Sequence, residues 1–292
     1  MEHCLLFGGQ GHLAKTKLIP NLNIQNITYT PISRKHTVDM KQFYNKENIV
    51  AFMAIPTSSI KSHIQRYEKD FEYFSPMFVL EKPHGDSQEN FHEICEYMDS
   101  LNYKYLFNDH YLFKNWAKNL DNLSSSFSDV HTIQVDIKEA GCINDRLEYF
   151  ESAGILLDMY QSHVMMIFAK ILSRIFPKNS LEEILEDLSS TEYIVLESGK
   201  YTGYQGQQDT QLSLGMRYNG KMLVCNLRKN AHHTDKAIHL YTDKVCQRIP
   251  LDDSDGYDTM FFNLRKREHA DFMTKQQVDY LWRHIEFNAK TV

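Results

Sequence analysis

The chain has 292 residues, about two domains' worth at ~150 residues each. Thirty-two bases against 38 acids leave a net charge of −6, without the basic surplus that a dedicated nucleic-acid binder needs to neutralise phosphates. A hydrophobic content of 42%, with 12% aromatics, excludes wholesale disorder and supplies material for a sizeable core.

Cys4–Phe7 is a short apolar run before a glycine turn and reads as a strand. The segment lacks the charged n-region, long h-region and cleavage site of a signal peptide. Strands are predicted at Asn26–Ile32, at the fully apolar Ile49–Ile55, at Met77–Leu80 and at Tyr105–Phe107. Helical spacing links them at Leu13–Leu22, Thr57–Tyr67 and Ser87–Leu101, with Thr57 or Ser58 and Ser87 as caps. This alternation argues for a doubly wound, Rossmann-like α/β parallel sheet over residues 1–122. A serine run, Ser124–Ser126, marks the boundary.

The remainder, 123–292, reads as an α+β domain with an antiparallel sheet. Its strand candidates are His131–Lys138, Tyr193–Leu196, Gln211–Tyr218, Met222–Arg228 and Ala237–Tyr241, with a hairpin signal at Asn219–Gly220. A helix is predicted over Ala153–Phe176, stopped by Pro177, and two more over Tyr257–His269 and Lys275–Asn288. No apolar run approaches the ~18 residues that span a bilayer, so no membrane partner is expected. The richest stretch, 154–176, is broken by Asp158, Gln161, His163, Lys170 and Arg174. Five scattered cysteines with no CxxC fit a reducing, cytoplasmic setting. The histidines show no metal-ligand spacing, and no metal is expected.

Two features carry chemistry. Gly9-x-Gly11-x-x-Ala14 follows a strand and precedes a helix, which is the context of a dinucleotide-binding turn. At the end of the second strand, Ser33-Arg34-Lys35 offers two cations and no acid before Asp39. That favours the 2′-phosphate of NADP, with NAD the alternative.

The chain resembles the glucose-6-phosphate dehydrogenase family in six blocks. These are Gly8-Gly9-Gln10-Gly11-His12-Leu13-Ala14-Lys15, Ala54-Ile55-Pro56, Glu81-Lys82-Pro83-His84-Gly85, Asn108-Asp109-His110-Tyr111-Leu112-Phe113-Lys114, Lys138-Glu139, and Tyr149-Phe150 through Gly154, Asp158, Gln161 and His163. The resemblance implies oxidation at C1 of glucose 6-phosphate, or a close phosphosugar, in glucose metabolism. Its alternatives are another sugar or sugar phosphate in a specialised pathway, or an inactive ligand-binding relative.

The resemblance makes His163 the base for the hydroxyl proton, a role that suits a side chain titrating near neutrality. It makes Asp109 the carboxylate that orients His163, and puts Lys82 near the reacting carbon. His110, Tyr111 and Lys114 map onto the phosphate. Glu139 and Asp158 map onto sugar hydroxyls, and Lys236 onto a second phosphate-side lysine. The cofactor would meet Gly8, Gly9, Gln10, Gly11, His12, Leu13, Ser33, Arg34, Lys35, Ile55, Pro56 and Lys82. A homodimer is implied in the same way.

The chain is shorter than usual members, most of the difference falling between Pro177 and Lys236. His12 stands for the usual Asp, Phe113 for Gly, Leu157 for Arg and Ser162 for Asn. Phe113 is where the pocket is most open to reshaping. Asp158 and His163, five residues apart at ~100° each, would lie about 140° apart on an ideal α-helix, so they share a ligand only if it lies across that face or the helix is distorted. The Lys82–Pro83 bond is a candidate cis peptide that would fix the lysine backbone, with trans the default from sequence alone.

Overall fold

The computed structural model describes residues 1–34, 38–121, 127–141, 143, 147–251, 254 and 256–290. It divides into two compact units, one of Met1–Phe113 with Asp255–Val278, the other of Lys114–Ser254 with Asp279–Val292. The serine run lies outside the described residues.

The first unit begins with β1 (His3–Phe7) and a π-turn, Ala14–Leu18, that runs into α1 (Ile19–Ile24). Then come β2 (Thr28–Ile32), β3 (Ile49–Met53), α2 (Ile60–Phe71), β4 (Met77–Glu81), α3 (Gln88–Ser100) and β5 (Tyr105–Asn108). The strands form a parallel sheet in the order β2-β1-β3-β4-β5. β3 is buried along its whole length, as a central parallel strand covered on both faces must be, and its sequence IVAFM is accordingly without polar residues. α2 buries Ile60, Ile64, Tyr67 and Phe71, one helical stripe. Ser87 caps α3 through Asn90 N at 3.1 Å. α2 differs from expectation. Its cap position is Ser59, with no side-chain hydrogen bond, while Thr57 Oγ1 donates to Pro83 O.

The second unit begins with α4 (Asn115–Asp121), β6 (Thr132–Ala140) and α5 (Leu147–Ile155). A π-helix, Leu156–Val164, continues into α6 (Met165–Ile175), followed by α7 (Leu181–Ser189). β7 (Tyr193–Gly199), β8 (Gln211–Tyr218), β9 (Lys221–Ala231), β10 (Asp235–Tyr241) and β11 (Cys246–Pro250) complete its sheet, ordered β11-β10-β6-β9-β8-β7. The sheet is mixed rather than antiparallel, because β6 and β9 run parallel at its centre. Asn219 and Gly220, at φ 43° and 77°, turn β8 into β9 as the sequence predicts. The single helix expected over 153–176 is in fact interrupted. Gly154 sits at φ 61°, ψ 176°, and a Cβ there would lie 2.8 Å from Gln208 Oε1. The helical run from Leu147 to Ile175 is apolar and long enough to cross a membrane by composition, but 83% of that stretch is buried inside the protein. It is a core helix. α7 carries a complete capping box, Ser180 with Glu183, that the sequence reading passed over.

Two helices close the chain, α8 (Tyr257–Lys266) and α9 (Lys275–Ala289). The sequence reading placed α8 in the second domain, but it belongs to the first unit. Phe261 packs on Phe52 with ring centroids 5.8 Å apart, and the Met1 ammonium donates to Leu264 O and Arg265 O. Met273 N donates to Phe107 O at 3.0 Å, adding an antiparallel bridge beside β5.

Gly220→Ala tests the hairpin. Nothing lies within 4 Å of a Cβ there, so its cost is backbone strain alone. A loss of about 1 kcal/mol is expected, read as a fall in Tm of roughly 2–4 °C.

Candidate active site

In the first unit the glycine turn is fixed by close approaches. Gly8 has φ 78°, and a Cβ there would lie 2.0 Å from Ala54 O at the end of β3. A Cβ on Gly9 would lie 2.6 Å from Pro31 Cβ of β2. Gly8 N and Gly9 N both donate to Ile32 O, and Gly11 N to Gly8 O at 2.7 Å. Ala14, the third fingerprint position, is buried, while Gln10, Gly11 and His12 face solvent. A bare backbone cradle at the carboxyl ends of β1 and β3 fits a dinucleotide pyrophosphate. Arg34 is exposed, and Ser33, Leu13 and Ile55 are half-buried. Pro56 is exposed, and Lys35 lies outside the described residues. Asp39, the next acid, accepts from Lys41 N at 3.0 Å and caps a short turn.

Lys82 follows β4 and is half-buried, and its bond to Pro83 is cis rather than the default trans. Beside it Glu81 is buried. Tyr257 OH donates to Oε1 at 3.0 Å and Asn108 Nδ2 to Oε2 at 2.7 Å. Burial pushes the Glu81 carboxyl up to about 7, against the opposing pull of Asn108, Lys82 and Tyr257. His84 is buried edge-on to Phe107, and burial pushes it down to about 4. Asp109 is fully buried, and its Oδ1 accepts from Tyr111 N at 2.9 Å, opening the short turn His110–Phe113. His110 stacks on Tyr257, centroids 4.9 Å apart and planes 11° apart. Phe113 is 2% exposed and packs on Phe272 at 4.8 Å within its own unit.

In the second unit, five side chains from five elements form one chain, buried at Asp158 and Lys229 and half-buried at the other three. Tyr149 OH donates to Asp158 Oδ1 at 3.0 Å. Lys229 Nζ bridges Asp158 Oδ2 and Glu139 Oε2, both at 2.7 Å. Lys236 Nζ meets Glu139 Oε1 at 2.6 Å. Burial works against the Glu139 charge, but the two lysines outweigh it and hold the carboxyl well below its usual range. Lys114 is buried too and donates to Ser254 O.

Asp158, Gln161 and His163 all lie in the π-helix and are all buried. There Met165 N donates to Tyr160 O, five residues back. A π-turn stacks residues five apart, so the objection that Asp158 and His163 diverge holds only for an α-helix. Ser162 Oγ donates to Leu157 O and Asp158 O, both at 2.8 Å, inside this turn.

Lys229 was missed from sequence. The signal was there: Leu223, Cys225, Leu227 and Lys229 are in phase on the buried face of β9. A lysine continuing an apolar alternation marks a buried charge in need of partners.

Two outcomes test these electrostatics. Lys229→Met removes the buried lysine that pairs with Asp158, leaving Glu139 only Lys236, and should cost about 3–5 kcal/mol in denaturant unfolding. For Glu81 the folded-state pKa lies above the ordinary 4.5, so the folded chain holds an extra proton up to about pH 7. Stability therefore falls as pH rises through that window, by on the order of 3 kcal/mol. Glu81→Gln should abolish this slope, read as a gap in Tm over the parent that widens between pH 5 and 7.

Known proteins share both the motifs and the architecture. Residues 123–188 match the family model of the glucose-6-phosphate dehydrogenase C-terminal domain. Over 171 residues the chain is 30% identical to the glucose-6-phosphate 1-dehydrogenase of Buchnera aphidicola subsp. Schizaphis graminum (strain Sg), covering 52% of this chain and 34% of that protein. The chain thus spans about a third of the length of that relative. A solved glucose-6-phosphate dehydrogenase in complex with its substrate glucose-6-phosphate superposes with TM-score 0.72 at 15% identity, covering 98% of this chain and 90% of that one. The glucose-6-phosphate 1-dehydrogenase of Mycobacterium avium gives TM-score 0.75 at 13% identity, covering 97% and 90%. The first unit is accordingly Rossmann-like and the second α+β. The chain is thus similar in sequence, over part of its length, and in fold to glucose-6-phosphate dehydrogenases.

Proposed function

We propose that the chain oxidises C1 of glucose 6-phosphate, or of a close phosphorylated sugar, to a phosphogluconolactone with NADP. One observation supports this most. Glu139, Asp158 and Lys236, which the sequence resemblance puts on the substrate, come together around Lys229 from positions up to 97 residues apart. Nothing in local sequence requires that meeting. A site for a polyhydroxylated anion does, because carboxylates accept from sugar hydroxyls and lysines attract phosphate.

Each residue then has a task. His163 takes the C1 hydroxyl proton, and Asp109 is the carboxylate that orients it. Glu139 and Asp158 accept hydrogen bonds from ring hydroxyls, and Lys229 bridges the two and holds the Glu139 carboxyl in its charged form. His110, Tyr111, Lys114 and Lys236 hold the phosphate. Lys82 lies at the reacting carbon. The bare glycine turn takes the pyrophosphate. Arg34 takes the 2′-phosphate, since Asp39 is spent on a cap. The bound nicotinamide supplies the hydride acceptor. A cytoplasmic setting and a homodimer belong to the same reading.

The assay is direct. Purified protein with glucose 6-phosphate and NADP should accumulate reduced nicotinamide. His163→Asn should lower kcat by about 10²- to 10⁴-fold while leaving NADP binding intact. If a panel of phosphosugars with NADP and with NAD yields no reduced cofactor, the enzyme reading fails and a ligand-binding relative takes its place.

A further inference from the structure

The outer face of the second unit's sheet carries a cluster that the proposed oxidation does not use. Strand alternation separates the two faces. Glu139, Lys229 and Lys236 point one way, and Asp136, Asn226, His239 and Tyr241 the other. Cys246, first residue of β11, pairs with Tyr241 across the antiparallel ladder, and Arg248 pairs with His239. Cys246 is exposed, whereas Cys4, Cys95 and Cys225 are buried. Its Sγ lies 3.9 Å from His239 Nδ1, and the other ring nitrogen, Nε2, lies 3.6 Å from Asp136 Oδ2.

Asp136 is itself fixed. Its Oδ1 accepts from Asn226 Nδ2 at 2.7 Å, and Gln134 Nε2 donates to both its oxygens at 3.0 Å. Gln134 in turn lies within reach of Tyr241 OH at 3.5 Å. The group on this face best supplied with hydrogen bonds is therefore an acid aimed at a histidine, and that histidine is aimed at the exposed thiol. A carboxylate beside Nε2 favours the tautomer with its proton there, which leaves the Nδ1 lone pair facing the sulfur. Arg248, two residues along the same strand, is paired with Asp235 at 2.7 Å. Thiol, base and orienting acid are the parts a nucleophilic cysteine needs.

We propose that Cys246 is a site of thiol–disulfide exchange with small disulfides of the glutathione type, with His239 as its base and Asp136 as a positioning residue. The thiol proton passes to His239 Nδ1 as Sγ attacks one sulfur of R–S–S–R′. A Cys246–S–S–R bond forms, the original S–S bond breaks, and R′S⁻ leaves and takes the proton back from His239. Cys246 is oxidised, and the departing half of the reagent is reduced. The modification is reversed by any excess thiol. It requires neither nicotinamide nor sugar, so it stands whether or not the oxidoreductase reading holds.

The experiment measures the rate of reaction with neutral dithiodipyridine, and then with oxidised glutathione, in a Cys142→Ser background. Cys142 lies outside the described residues, and the other three thiols are buried. One fast phase is expected, and Cys246→Ser should remove it. His239→Gln should slow that phase about tenfold, because the attacking species is the thiolate. Added imidazole should restore much of the rate to His239→Ala, which a merely structural histidine would not allow. Asp136→Asn, which still accepts from Asn226, serves as a second variant and should also slow the phase. Thermal transitions matching the parent's certify that each variant is folded. Rates unchanged in His239→Gln and Asp136→Asn, or no rescue by imidazole, overturn the proposal.

Discussion

A charge removed from water must find its counter-charge within a few ångströms, and in the second unit that requirement ties β6, β9, β10, α5 and the π-helix together. Lys229 is the point where they meet. With its side chain 4% exposed, it has no recourse to solvent, and Asp158 is as deeply buried. Neither tolerates a shift of its element by even a residue. The parallel pairing of β6 with β9 brings Glu139 to Lys229, and β10 on the other edge of β6 brings Lys236. The π-turn sets where Asp158 and His163 stand relative to one another. Packing of the apolar faces gives the unit its stability, but this ion chain makes its register unique.

The first unit solves a different problem. Its glycine turn must pass close to two strands, so the decisive features are atoms that are absent. Gly8 and Gly9 have no Cβ because β3 and β2 already occupy those positions. The same unit buries an acid, Glu81, next to Lys82, and clamps it between an amide and a phenol. Such a carboxyl is poised to change charge near neutrality beside a residue assigned to the reacting carbon.

Much of this was legible in the sequence. Alternating strands and helices, the glycine turn and the Asn219–Gly220 hairpin follow from local periodicity and backbone freedom, which a short window contains. What a window does not contain was misread. The membership of α8 in the first unit depends on Phe261 meeting Phe52, some 200 positions away. The parallel pairing of β6 with β9 is equally non-local. The π-turn inserts extra residues into a helix without changing its composition, so helical spacing alone predicts an ordinary α-helix, and the distortion that would bring Asp158 and His163 onto one side was only one of the options it left. Phe113 was read as a pocket residue because it replaces glycine in a motif, whereas its ring had a core partner in Phe272. Lys229 differs, since its place in an apolar alternation was visible and simply not used.

The return of α8 to the first unit bears on how the chain emerges from the ribosome. Domains ordinarily fold as units from the amino terminus during synthesis. Here β1 to β5 are made first, yet the ammonium of Met1, the ring of Phe52 and the edge of β5 all await partners between residues 256 and 278. Those partners arrive only after every strand of the other sheet has been translated. The first unit is thus begun before the second sheet is made and completed only after it, and its apolar seam stays open through much of elongation.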